Sequence, residues 1–145
     1  MTFGPALALA AAAAIILQPL LAASAQAQEA GPALRIELNA LQPSQSGCRL
    51  TFVATNLLPQ DITKAAFEVV LFNKAGMVER LSVFDFQELP ASRTRVRQFA
   101  LAGADCANIS RILVNGATAC EGTGVDAKAC GRIETTTKGD VVFSG

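Results

Sequence analysis

Four cysteines, Cys48, Cys106, Cys120 and Cys130, are the side chains of this sequence best suited to chemistry, and there is no histidine to assist them. Zinc takes Cys and His at close spacings such as C-x2-C. The nearest pair here, Cys120 and Cys130, has nine residues between its members. A thioredoxin-like site needs C-x-x-C, and haem attachment needs C-x-x-C-H; neither occurs. Blue copper requires histidine ligands. No metal site and no cofactor is expected. An even set of thiols then points to disulfides, in a compartment that allows them. Four cysteines admit three connectivities, which sequence leaves open. The favoured set is Cys48–Cys106 with Cys120–Cys130, because the second pair is local and joined by the flexible EGTGVDAKA. Loop closure in the two rings corresponds to roughly 4 and 3 kcal/mol. A labile Cys120–Cys130 bridge would instead make the protein a disulfide-based redox factor or an enzyme accessory.

Charged groups supply two further constellations. Arg93, Arg95 and Arg97 alternate, so a strand places all three guanidinium groups on one face. Such a row can hold an acidic partner, because the arginine fork pairs with carboxylate and phosphate. The favoured reading is a solvated outer face that crosses Glu79 or Glu68 on neighbouring strands, since surface charge rows are common and exposed pairs weak. Asp85 and Glu88 flank a turn and could do acid–base work only if burial raised one pKa. There is no G-x-S-x-G elbow, no glycine-rich phosphate loop and no acidic metal-binding loop. No catalytic residue is expected, and the sequence reads as a non-enzyme. Asn108-Ile109-Ser110 is a glycosylation acceptor only in a eukaryotic secretory host.

The first residues differ from the rest. Ala6 to Ala27, ALALAAAAAIILQPLLAASAQA, carry no charge, and the apolar run breaks at Pro19 before small residues end in Ala25-Gln26-Ala27. An apolar core, a helix breaker and a small-x-small site make the plan of a secretory signal. A signal peptide over residues 1–27 is expected, cut after Ala27, with Ala25 as the second choice. The mature chain is then periplasmic or secreted. An uncleaved anchor would want about 20 apolar residues in a row, and Pro19 with its polar flank interrupts them. No stable membrane insertion is expected after cleavage. The 12 basic and 12 acidic residues cancel. That balance excludes a nucleic-acid binder, which needs excess positive charge, and gives no general attraction to anionic lipid.

Past Ala27 the apolar pattern has a period of two. LRIELNAL, CRLTFVAT, ITKAAFEVVLF, MVERLSVFDF, RTRVRQFAL and ISRILVN each read as a strand. QPSQSG, NLLPQD, NKAG, QELPAS and Asn115-Gly116 punctuate them, and Val141–Phe143 is a late strand candidate. The candidate core is Leu34, Ile36, Leu38, Leu50, Phe52, Phe67, Val69, Leu71, Leu81, Val83, Val96, Phe99, Ile112 and Val114. Short strands between turns predict an all-β fold. Specifically, the sequence predicts a disulfide-stapled, immunoglobulin-like antiparallel β-sandwich of about six or seven strands. It forms one domain over 28–145, with a cysteine-containing C-terminal extension over 117–145. The spacing of Cys48 and Cys106 suits an inter-sheet bridge, although no Trp or Tyr is present to pack on it.

The segments LRIELNALQPSQSGCRLTFVATN, ELPASRTRVRQFAL and CANISRILVNGATAC together resemble a group of small exported alphaproteobacterial proteins labelled Tat-pathway signal sequence domain proteins. The likeness covers Leu34 to Phe143 and rests on overall pattern and cysteine placement. The twin arginine of that pathway is absent here. The resemblance implies a periplasmic address and assigns no activity. The functional expectation is a periplasmic module with a binding or structural role at the cell envelope, engaging a protein or envelope component.

Overall fold

The structure, a computed structural model, describes Met1, Gly4 and residues 30–145; the expected signal peptide and its cleavage site lie outside the described residues. Eight strands follow one another: β1 (Leu34–Ser44), β2 (Gly47–Asn56), β3 (Ile62–Asn73), β4 (Val78–Leu89), β5 (Thr94–Ala102), β6 (Ile109–Glu121), β7 (Ile133–Thr137) and β8 (Val142–Ser144). Single 3₁₀ turns, Cys106–Asn108 and Ala129–Gly131, precede β6 and β7. Among the described residues no helix is long and apolar enough to cross a membrane.

The strands form two four-stranded sheets. Sheet A has the order β5-β2-β1-β7 and sheet B the order β4-β3-β6-β8. The six long strands pair antiparallel within each sheet. Their Greek-key order matches strands A-B-E and C′-C-F of an immunoglobulin sandwich. The protein is thus a disulfide-stapled all-β sandwich. It differs from the sequence expectation at its last two strands, which join in parallel, β7 to β1 and β8 to β6, and make both sheets mixed. Residues 117–145 therefore complete both sheets. β7 escapes an apolar pattern because its sequence, IETTT, offers one aliphatic residue. It is held as a parallel neighbour of β1, with an Arg35–Glu134 ion pair at 3.0 Å across the register.

Alternation fixes the inward faces. Leu34, Ile36 and Leu38 of β1 face the core beside Cys48, Leu50, Phe52 and Ala54 of β2. Sheet B answers with Ile62, Ala65, Phe67, Val69 and Leu71 of β3 and Ile112 and Val114 of β6. Phe52 sits at the centre, its ring 5.5–6.0 Å from those of Phe84, Phe86, Phe99 and Phe143. Such aromatic pairs add about 0.5–1.5 kcal/mol each beyond their area, which offsets the lack of Trp and Tyr.

Three expected core residues are corrected. Leu81, Val83 and Val96 are 56%, 61% and 58% exposed. β4 carries apolar residues on both parities, and the larger pair, Phe84 and Phe86, takes the inside. On β5, Val96 and Phe99 have opposite parity, so a regular strand cannot bury both; Phe99 and Leu101 face inward.

Glycine is required by close approach where β2 opens. At Gly47, which opens β2, an added Cβ would run into the carbonyl of Leu101 on β5. Asn56, which closes β2, is fully buried. Its Nδ2 donates to the carbonyls of Gln60 (2.9 Å) and Leu89 (2.8 Å), and its Oδ1 accepts from the Leu58 N–H (2.9 Å). One amide thus shapes the crossing from sheet A to sheet B and fastens the end of β4 to it.

Candidate functional site

The four cysteines form two bridges, Cys48–Cys106 and Cys120–Cys130, with Cα separations of 5.1 Å and 5.8 Å. Both converge on β6. Cys106 lies three residues before its start and Cys120 one residue before its end. The first bridge ties β6 to β2 of the opposite sheet; the second ties it to the turn that launches β7. In each, one cysteine is fully buried (Cys48, Cys130) and the other half-buried (Cys106, Cys120). Exposure, on which thiol attack depends, does not distinguish the two bridges.

The arginine row lies elsewhere than on an outer face. Arg95 and Arg97 share the inward parity of Phe99 and Leu101, at the open side of the sandwich where edge strands β4 and β5 meet. Arg97 reaches across to sheet B, donating from Nε to the Phe86 carbonyl (2.6 Å) and from Nη2 to the Glu88 carbonyl (2.8 Å). Arg80 of β4 reaches the other way and donates to the Ala102 carbonyl of β5 at 2.8 Å. Between these two crossings Phe84 and Phe99 stack, 4.3 Å apart and 8° from parallel. Arg95 donates to the carbonyl of its neighbour Thr94 (3.3 Å), and Arg93 is exposed at the turn. Glu68 and Glu79, read from sequence as partners of this row, belong to sheet B and bond instead to Asn115 and Asn108.

Edge strands with bare carbonyls invite pairing with another chain. Here guanidinium groups occupy those carbonyls and latch the two edges together. Arg97→Ala should cost about 1–3 kcal/mol, the worth of hydrogen bonds from a charged donor, and should raise light scattering during refolding. Arg97→Lys keeps the charge but not the fork, so its urea midpoint should fall between those of the alanine variant and the parent.

Asp85 and Glu88 are both exposed. The Asp85 Oδ1 accepts from the Gln87 N–H at 2.8 Å, which supports Gln87 in a left-handed conformation (φ 59°) that non-glycine residues seldom adopt. Both carboxylates border a shallow, open depression with Thr63, Lys64 and Gln87. A more apolar cleft of about 250 Å³ lies at the far end, between the β1 bulge and the β7–β8 turn, lined by Leu38, Leu41, Thr137 and Val141. Among the described residues no group of three or more His, Cys, Asp or Glu has the geometry to hold a metal ion. Asn108 and Ser110 of the acceptor triplet hydrogen-bond to Glu79 and to the Phe72 and Asn73 carbonyls.

No protein-family model matches the chain, and no curated protein does. Among solved structures, it is similar to the Salmonella enterica trimeric lipoprotein SadB, with 19% identity and a TM-score of 0.42, over 48% of this chain. The match spans 40% of that protein's chain. Likeness at that level transfers neither fold nor function.

Two groups that organise this region stand out only in three dimensions. Arg80 looks like one more charge in a polar stretch, and Asn56 looks like the start of a turn. The parity of Arg97 with Phe99 was a usable signal, because period two puts them on one face.

Proposed function

We propose that this protein is a periplasmic β-sandwich module with a non-enzymatic structural or binding role at the cell envelope. The observation that carries the reading is where its reactive groups are spent. Every cysteine is closed in a bridge, Arg80 and Arg97 latch the sandwich edge, and Asp85 supports a backbone bend. Two structural disulfides suit an oxidising compartment, and the signal-like first 27 residues supply a route to one. The partner is a protein or envelope component, and Arg93, exposed at the end of the arginine row, is the member of that row best placed to meet it.

The experiment is fractionation of a Gram-negative host that expresses the full chain, followed by intact-mass and thiol analysis. The expected product is periplasmic, begins at Gln28 and has no free thiol. A cytoplasmic product that retains Met1 and four free thiols, yet unfolds cooperatively, would refute the reading.

A further inference from the structure

The outer faces of the two sheets are unlike. Sheet A presents Arg35, Glu37, Thr55, Gln98 and Glu134 to solvent, with Val53 and Val96 among them. Sheet B presents Leu81 and Val83 of β4, Phe72 of β3, Leu113 of β6 and Val142 of β8, around a buried Val70. These residues adjoin across the registers. Leu81 lies opposite Val70 and Val70 opposite Leu113; Phe72 lies opposite Arg111 and Arg111 opposite Val142. An antiparallel sheet with one face on the core ordinarily turns polar residues outward. Sheet B instead sets an apolar patch among the charged residues of its outer face.

We propose that the outer face of sheet B is where two copies of this chain associate, sheet against sheet about a two-fold axis. Three observations single out a second copy. First, Leu81, Val83 and Val142 are 56%, 61% and 54% exposed. With their half-buried neighbours they leave roughly 400 Å² of apolar surface, in the range where a patch is often functional. At the usual apolar share of an interface, that area corresponds to roughly 700 Å² per copy, close to the standard size. Second, the chain carries 12 basic and 12 acidic residues, so no net charge holds two copies apart. The face itself is polarised along the strands, from Asp85 and Glu68 at one end to Arg111 over the Phe72 ring at the other. Glu79, also at the Arg111 end, is turned to Asn108. A two-fold axis perpendicular to the strands sets the acidic end of one copy against Arg111 of the next. Third, strand addition is obstructed at both edges of sheet B. Arg97 holds the β4 carbonyls of Phe86 and Glu88, and β8 offers only three residues.

The anchors are aliphatic, with no Trp or Tyr to act as a hot spot, so the association should be of moderate strength, with a Kd of about 1–100 µM. The inference stands independently of the compartment in which the protein works. Sedimentation velocity of the purified protein across that range tests it. Monomer should give way to dimer, and the double variant L81K/V83K should weaken association at least about tenfold. Val96→Lys, on the outer face of sheet A, should leave association unchanged. Circular dichroism melting confirms that each variant is folded; if the double variant is not, Leu81→Lys and Val142→Lys alone replace it. A parent protein that stays monomeric at about 1 mM overturns the proposal. So does a dimer that survives substitution at Leu81 and Val83, or one that Val96→Lys dissolves.

Discussion

Replacing Cys48 and Cys106 together by alanine should lower the unfolding free energy by about 4 kcal/mol. The two cysteines are 58 residues apart, and a closed loop of that length removes much freedom from the unfolded chain. Against a domain stability of about 5–15 kcal/mol, such a loss leaves little margin. The cost falls on the contact between sheets, because this bridge joins β2 of sheet A to the start of β6 in sheet B. The Cys120–Cys130 pair closes a loop of 10 residues and should cost about 3 kcal/mol. Urea unfolding of the two double variants under oxidising conditions measures both losses. A larger loss from the Cys120–Cys130 variant would show that native packing around that turn, rather than loop entropy, sets the ranking.

Asn56→Ala should cost about 3–4 kcal/mol, because it strands the Leu58 N–H and the carbonyls of Gln60 and Leu89, and a buried orphan costs about 1–3 kcal/mol. Asn56→Asp separates hydrogen bonding from packing. A carboxylate of the same shape can still accept from Leu58, but it faces two carbonyl oxygens. Both disfavour its charged form and raise its pKa in the folded state. The unfolded chain has a carboxyl pKa of about 3.9. Between that value and the raised folded value the native state binds the extra proton, so stability falls as pH rises. The aspartate variant should therefore unfold at lower urea at about pH 7 than at about pH 4, relative to the parent at each pH. An equal deficit at both would mean that the side chain has swung out to water.

The strand pattern was legible because burial on one face writes a period of two into the chain. LRIEL and CRLTF show it directly, and the structure places those residues as the alternation requires. β4 was harder to read. In VERLSVFDF both parities are apolar, and only the tertiary fold reveals that Leu81 and Val83 lie on the outer side of sheet B. β7 was not legible because a short edge strand of threonines needs no apolar stripe; its pairing with β1 is a long-range fact. The disulfide pairing followed from the local spacing of one pair. The arginine latch did not follow from the row itself, because its acceptors are backbone carbonyls, and these carry no side-chain signature.

The parallel pairing of β1 with β7 joins Leu34 to Ile133, positions 99 residues apart. In a chain made from its N-terminus at about 5–20 residues per second, β7 leaves the ribosome roughly 5–20 s after β1. Throughout that interval β1 has a bare flank. The strand that ends up shielded inside sheet A therefore begins its life as the one in greatest need of a chaperone.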